Sequence, residues 1–174
     1  MVDDRARDRR RQWMSSGMNI SMEEGLTEYL AQGITEATVG ADHPHMETIN
    51  SGGGYRGNVD AVELMARYGS LYVDATFRAP HGNTVRNNML TAQTQVYKST
   101  LDRAGIPTGD STGKTGNPLW DLIMNTSVQA YHNDFMLLMD ERVAAVFTHI
   151  NREFDEGRPM SPEEVTKMIE EVLK

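Results

Sequence analysis

Apolar residues recur at intervals of three and four positions along most of the chain, which places them on one face of an α-helix. The last segment is the clearest case, with Val165, Met168, Ile169 and Val172 on a single stripe. Runs of alternating apolar and polar residues separated by hairpin turns, typical of antiparallel sheets, are not found in the sequence. The pattern therefore predicts an all-α protein, a single compact bundle of five to six helices with a basic N-terminal arm.

Capping patterns mark three of the predicted helix starts. Ser21 with Glu24 opens one helix and Ser161 with Glu164 opens the last, because each serine hydroxyl accepts from the glutamate N–H while the carboxylate accepts from the serine N–H. Asn117, followed by a proline at the first helical position, predicts a third start. The helix that begins at Ser21 carries an apolar stripe made of Met22, Leu26, Tyr29, Leu30 and Ile34.

The other boundaries follow from glycine, proline and further capping residues. A short helix is expected over residues 3–14, one over 58–79 and one over 83–105, with a strand over 71–77 as the competing interpretation of the second. A long helix is expected over 118–154, with Gly157 ending it and a bend near Asn125, Thr126 and Ser127, whose side chains compete for backbone partners.

Three parts of the chain are distinguished on this basis. Residues 1–20 are expected to form the basic N-terminal arm, residues 21–157 the helical core domain, and residues 158–174 a C-terminal amphipathic helix.

Composition narrows the class of protein. The 174 residues are 39% hydrophobic and 24% charged, and the absence of cysteine excludes a disulfide framework, a thiolate metal site and a cysteine nucleophile. No apolar run approaches the about 20 residues of a membrane span. The expected location is therefore the cytoplasm, or a virion if the protein is structural, and no membrane partner is expected.

The charge is unevenly distributed along the chain. The formal net charge is −8, yet the first twelve residues hold five arginines against three aspartates and carry +2. These arginines are Arg5, Arg7, Arg9, Arg10 and Arg11. Such an arm is expected to contact an acidic surface of a neighbouring subunit or nucleic acid, with a solvated helix as the alternative interpretation.

Two short motifs suggest chemistry. Residues 109–115 (GDSTGKT) resemble a phosphate-binding loop, but the glycine spacing is one residue short and a buried strand does not precede it, so nucleotide hydrolysis is rejected. His43, His45 and Glu47 could supply two imidazoles and a carboxylate to one metal ion, with a third histidine from elsewhere in the chain. These three residues are the metal candidates; no catalytic residue and no cofactor are predicted.

One stretch resembles a known family. The residues that carry the likeness are Ala66, Arg67, Tyr68, Tyr72, Asp74, Thr76, Arg78 and Pro80, followed on the next helix by Arg86, Lys98, Ser99 and Arg103. Over residues 58–110 the chain is similar to the core of coat proteins from flexible filamentous plant viruses of the potyvirus type. The resemblance implies a helical-bundle subunit that polymerises around RNA.

These observations favour a non-enzymatic structural subunit that self-assembles into an oligomer, filament or virion-like particle. Its expected partners are copies of itself, and nucleic acid through the arginine-rich arm. The twelve methionines suit adaptable helix contacts, either in the core or on a partner surface. Two alternatives stay open, a helical adaptor that binds one protein partner and a metal-dependent enzyme that uses His43, His45 and Glu47.

Overall fold

The computed structural model describes residues 17–44, 46, 56–78, 82–108, 117–132 and 141–174. This part of the chain forms seven helices and contains no strand. The helices are α1 (Gly17–Val39), α2 (Arg56–Tyr68), α3 (Val73–Phe77), α4 (Gly82–Arg103), α5 (Pro118–His132), α6 (Glu141–Asp155) and α7 (Pro162–Leu173). The all-α class is thus confirmed, with one helix more than the upper expectation.

Helix α2 lies at the centre of the packing, where it contacts α1, α4 and α6. Its apolar face is almost fully buried through Ala61, Val62, Leu64 and Met65. Helix α7 packs on α5 and α6, and its Val165 and Ile169 belong to the same hydrophobic core as α2 and α4. The C-terminal helix is therefore part of the core.

Several predicted helix ends are confirmed in detail. Ser161 and Glu164 form the reciprocal capping box at the start of α7, with bonds of 3.2 and 2.8 Å. Asn117 caps α5 through its side-chain oxygen, which accepts from the N–H of Leu119 at 3.0 Å. At the other ends, Gly105 follows α4 and Gly157 follows α6, both in the left-handed conformation that glycine favours.

Two boundaries differ from the prediction. Helix α1 begins at Gly17 and not at Ser21, because nothing between these two residues interrupts the helix. The last four residues of the predicted arm of residues 1–20, residues 17–20, are therefore helical. The predicted helix over 58–79 is divided into α2 and α3, and the strand over 71–77 is wrong, since residues 73–77 are helical.

The division of that helix has a steric cause. A side chain at Gly69 would place its Cβ 2.3 Å from the carbonyl oxygen of Ala92, so α2 ends where it meets the backbone of α4. Ser70 then takes a left-handed conformation with φ of 57°, and the N–H of Leu71 donates back to the carbonyl of Met65 at 3.1 Å. The chain re-enters a helix at Val73.

Other predictions fall on residues outside those described. These are the helix over 3–14, the loop 109–115 and the junction between α5 and α6 at 133–140.

Candidate functional site

A groove runs between α2 and α6, and we refer to it as the α2–α6 groove. Glu141 at the start of α6 lies beside Gly57, and Asp155 at the end of α6 bonds to Tyr68 at the end of α2, so the two helices run parallel. The groove has a volume of about 610 Å³. It is lined by Asp60, Glu63, Leu64, Arg67, Tyr68, Glu141, Ala145, Thr148, His149, Arg152, Asp155 and Glu156.

The groove lining is acidic. It contains five carboxylates and two arginines, which give a net charge of −3 with His149 neutral. Arg67 pairs with Glu63 on its own helix at 2.9 Å, and Arg152 donates to Nδ1 of His149 at 3.3 Å. The arginines in the groove are thus engaged along the helices that carry them. Two arginines outside the lining, Arg103 and Arg158, pair with Asp155 and Glu156 and offset part of the negative charge.

A polar network closes one end of the groove and joins three helices. The Tyr68 hydroxyl donates to Oδ2 of Asp155 at 2.6 Å, and the Arg103 guanidinium donates to Oδ1 of the same carboxylate at 2.7 Å. Arg103 also donates to Oδ1 of Asn151 at 3.0 Å. The fully buried Asn151 amide in turn donates to the Thr100 hydroxyl at 2.7 Å and to the carbonyl of Phe147 at 2.9 Å. We call this set the inter-helix network.

The protonation of this network is fixed by its hydrogen bonds. The bonds from Tyr68 and then Arg103 hold the pKa of Asp155 below its ordinary value, so the carboxyl group is ionised near neutral pH. Burial, and then the bond to Asp155, raises the pKa of Tyr68 above its ordinary value, so the phenol keeps its proton. Both shifts move the pKa values further from neutral pH. A side chain exchanges protons most efficiently when its pKa lies near the working pH, so neither group is suited to acid–base catalysis. The network is built to hold α2, α4 and α6 together.

The predicted metal candidates are only partly within the described residues. His43 lies in the turn after α1, where its N–H donates to the carbonyl of Gly40 at 3.2 Å and its carbonyl accepts from Met46 at 2.8 Å. His45 and Glu47 lie outside the described residues. Among the residues that are described, no group of three histidine, aspartate or glutamate side chains could hold a metal ion.

The predicted contact residues Arg5, Arg7, Arg9, Arg10 and Arg11 also lie outside the described part of the chain. What sequence reasoning missed is the groove and its network. Tyr68 and Asp155 are separated by 87 positions, and Asn151 and Thr100 by 51. One signal for the network was present in the sequence: Asn151 lies beside Ile150 on a stripe of α6 that is otherwise apolar.

Comparisons with protein-family models, with curated proteins and with solved structures give no match to this chain. Within the described residues, no helix combines the length and the apolar character needed to cross a membrane.

Proposed function

We propose that this protein is a non-enzymatic structural subunit that assembles with copies of itself into an oligomer, filament or virion-like particle. The observation that carries the proposal is the apolar stripe of α1, which continues past the core. Leu26 is fully buried, Leu30 is half-buried at the next turn, and Ile34 at the turn after that is 67% exposed. These residues are four apart and therefore share one face of the helix.

The last nine residues of α1 contribute nothing to the buried core. None of the nine residues 31–39 is buried, and Val39 is exposed together with Ile34. Helices in proteins gain most of their stability from tertiary packing, so this end of α1 gains stability when a partner covers it. A second copy of the chain would supply that cover.

A further large side chain is exposed just before α3. Tyr72, which precedes α3, is 78% exposed, and α3 packs on α1. Tyrosine is enriched at protein interfaces because its ring buries a large area while the hydroxyl stays hydrated. We place Ile34, Val39 and Tyr72 in the subunit interface, and we assign the arginine-rich segment Arg5–Arg11 to a second contact, with a neighbour or with nucleic acid.

The test is light scattering on the eluate of a sizing column, over a range of protein and salt concentrations, with absorbance read at 260 and 280 nm. The wild-type protein should give a mass well above 19.5 kDa. A raised 260 nm signal that disappears at high salt would add nucleic acid as a partner. A monomer at every concentration contradicts the proposal and favours the adaptor alternative.

Ile34→Glu is the matching variant. Full burial of an isoleucine contributes about 1.5–3 kcal/mol, and two-thirds of this side chain is still exposed, so about 1–2 kcal/mol of association is at stake. The variant should assemble at a protein concentration at least about 5-fold higher than the wild type. Gln95→Glu places the same charge on an exposed position of α4 and should leave assembly unchanged.

A further inference from the structure

We propose that the C-terminal part of α1 pairs antiparallel with the same segment of a second copy of the chain, across a two-fold axis. This inference rests on the proposed function, because it gives the geometry of one of the contacts between subunits.

Four side chains of α1 share the face that forms this contact. Thr27, Leu30, Ile34 and Ala37 recur at intervals of three, four and three positions, the spacing with which one helix packs along another in a coiled coil. Thr27, Ile34 and Ala37 are exposed and Leu30 is half-buried. These four residues therefore lie at the surface of the subunit, and we call them the α1 seam.

The α1 seam carries no charge. The charged residues of this part of α1, Glu28 and Glu36, lie about 120° and 160° around the helix from Ile34, and Gln32 donates to Glu28 on that far side at 3.2 Å. Thr38 lies beside the seam, and its hydroxyl donates to the carbonyl of Ile34 at 2.7 Å. Charged residues are depleted at the centres of interfaces, and two copies of net charge −8 repel least where uncharged faces meet.

The contact is two-fold because the seam has no different surface to meet. A head-to-tail contact joins two distinct patches of the subunit, whereas a two-fold contact joins one patch to itself. Among the described residues, the large apolar side chains that are exposed are Ile34, Val39 and Tyr72. All three belong to α1 or precede α3, which packs on α1, so no separate apolar patch in the described part of the chain matches the seam.

The direction of the partner helix follows from the position of the subunit body. Leu26 is buried, and a Cβ at Gly25 would lie 3.1 Å from the Cβ of Asn58 in α2, whereas none of residues 31–39 is buried. In a parallel pair the bodies of both subunits would compete for space at the same end. In an antiparallel pair they lie at opposite ends, and the opposed helix dipoles attract each other.

Antiparallel pairing determines which seam residues meet. With the two-fold axis at position 32, Leu30 of one copy faces Ile34 of the other, and Thr27 faces Ala37. Helix axes about 8–10 Å apart bring facing Cα atoms into the range of about 4–7 Å that a disulfide bridges. The pairing can therefore be read out by cross-linking.

The experiment uses full-length Thr27→Cys and Ala37→Cys, which introduce a single thiol each because the chain has no cysteine. Both positions are exposed, and circular dichroism confirms that each variant is folded. The variants are oxidised with copper phenanthroline, each alone and as a 1:1 mixture equilibrated beforehand, at a protein concentration where the wild type is assembled. A non-reducing gel should show cross-linked dimer in the mixture, several-fold more than in either variant alone.

The other cross-linking patterns overturn the inference. Cross-linking of each variant with itself, without gain in the mixture, indicates a parallel pair. Cross-linking in none of the samples places the contact between subunits away from the seam. In either case an assembled wild type in light scattering leaves the proposed function standing, whereas a wild type that is monomeric at every concentration removes both.

A matched pair controls for random collision. Glu28→Cys and Glu36→Cys lie equally far from the same axis, on the opposite side of the helix from the seam. Their mixture should give no more cross-linked dimer than either variant alone. A yield equal to that of the seam pair overturns the inference.

Discussion

The substitution Asn151→Ala tests whether the inter-helix network stabilises the fold. Asn151 has no exposed surface and joins α6 to α4 through Thr100 and Arg103. Its amide also donates to the carbonyl of Phe147. Alanine at this position removes all three hydrogen bonds and keeps the helix, for which alanine has the highest propensity.

The expected loss of stability depends on which hydrogen bonds the partners of Asn151 keep. The Thr100 hydroxyl still donates to the carbonyl of Val96 at 2.8 Å, and Arg103 still pairs with Asp155 at 2.7 Å, so neither is left without a partner. The cost is then the net value of three hydrogen bonds at about 0.5–1.5 kcal/mol each, together with the space left by the amide. We expect the free energy of unfolding to fall by about 2–4 kcal/mol.

The assay is urea unfolding followed by far-ultraviolet circular dichroism at one fixed protein concentration, since assembly would make the stability depend on concentration. A loss of about 3 kcal/mol corresponds to a fall in Tm of about 6–12 °C for a chain of this size. Asn88→Ala is the matched control, because Asn88 is exposed on α4 and makes one long bond to Thr76 at 3.4 Å. The control should change stability by less than about 0.5 kcal/mol. A loss below 1 kcal/mol for Asn151→Ala, or equal losses for the two variants, would refute the reasoning.

Three further predictions concern single positions. Ser70→Gly should stabilise the protein by about 0.5–1 kcal/mol in urea unfolding, because the left-handed conformation at φ 57° is unfavourable for serine and not for glycine. A loss of stability would show that the serine side chain is needed. Ser161→Ala should cost about 1 kcal/mol through loss of the α7 cap, and Ser161→Asn should recover most of it. The pKa of Asp155 is lowered from its ordinary value of 3.8, so stability should fall in acid as the pH drops below 3.8 and through this lowered pKa. The pKa of Tyr68 is raised from its ordinary value of 10, so stability should also fall in base as the pH rises above 10 and through this raised pKa. Tyr68→Phe should reduce both dependences relative to Tyr29→Phe, and a pH profile identical to that of the wild type would contradict the assignment.

The sequence predicted the parts of the fold that depend on local chemistry. The capping box of Ser161 and the cap of Asn117 were found because their partners lie within three residues. The glycines after α4 and α6 were found because left-handed helix ends favour that residue. The helix that carries Leu26, Leu30 and Ile34 was also predicted, although the structure buries Leu26 and leaves Ile34 exposed.

What depends on distant contacts was not predicted. The break between α2 and α3 occurs at a serine, which gives no signal for a left-handed conformation, and the cause is a contact with α4 more than twenty positions away. The same holds for the groove, since Tyr68 meets Asp155 only after α2 and α6 have packed in parallel. Local patterns carry no information on which helices become neighbours.

The close approach of Gly69 to α4 has a consequence for folding kinetics. With a carbonyl oxygen 2.3 Å from the place of a Cβ, the end of α2 and the middle of α4 meet backbone to backbone, without side chains that could adjust by changing rotamer. A partly docked arrangement of α2 and α4 therefore gains little contact energy. We expect the two helices to dock in a single step. We expect α2 and α4 to form the folding nucleus, so that truncations of their buried side chains, such as Val62→Ala or Val96→Ala, slow refolding, while truncations in α7 mainly accelerate unfolding.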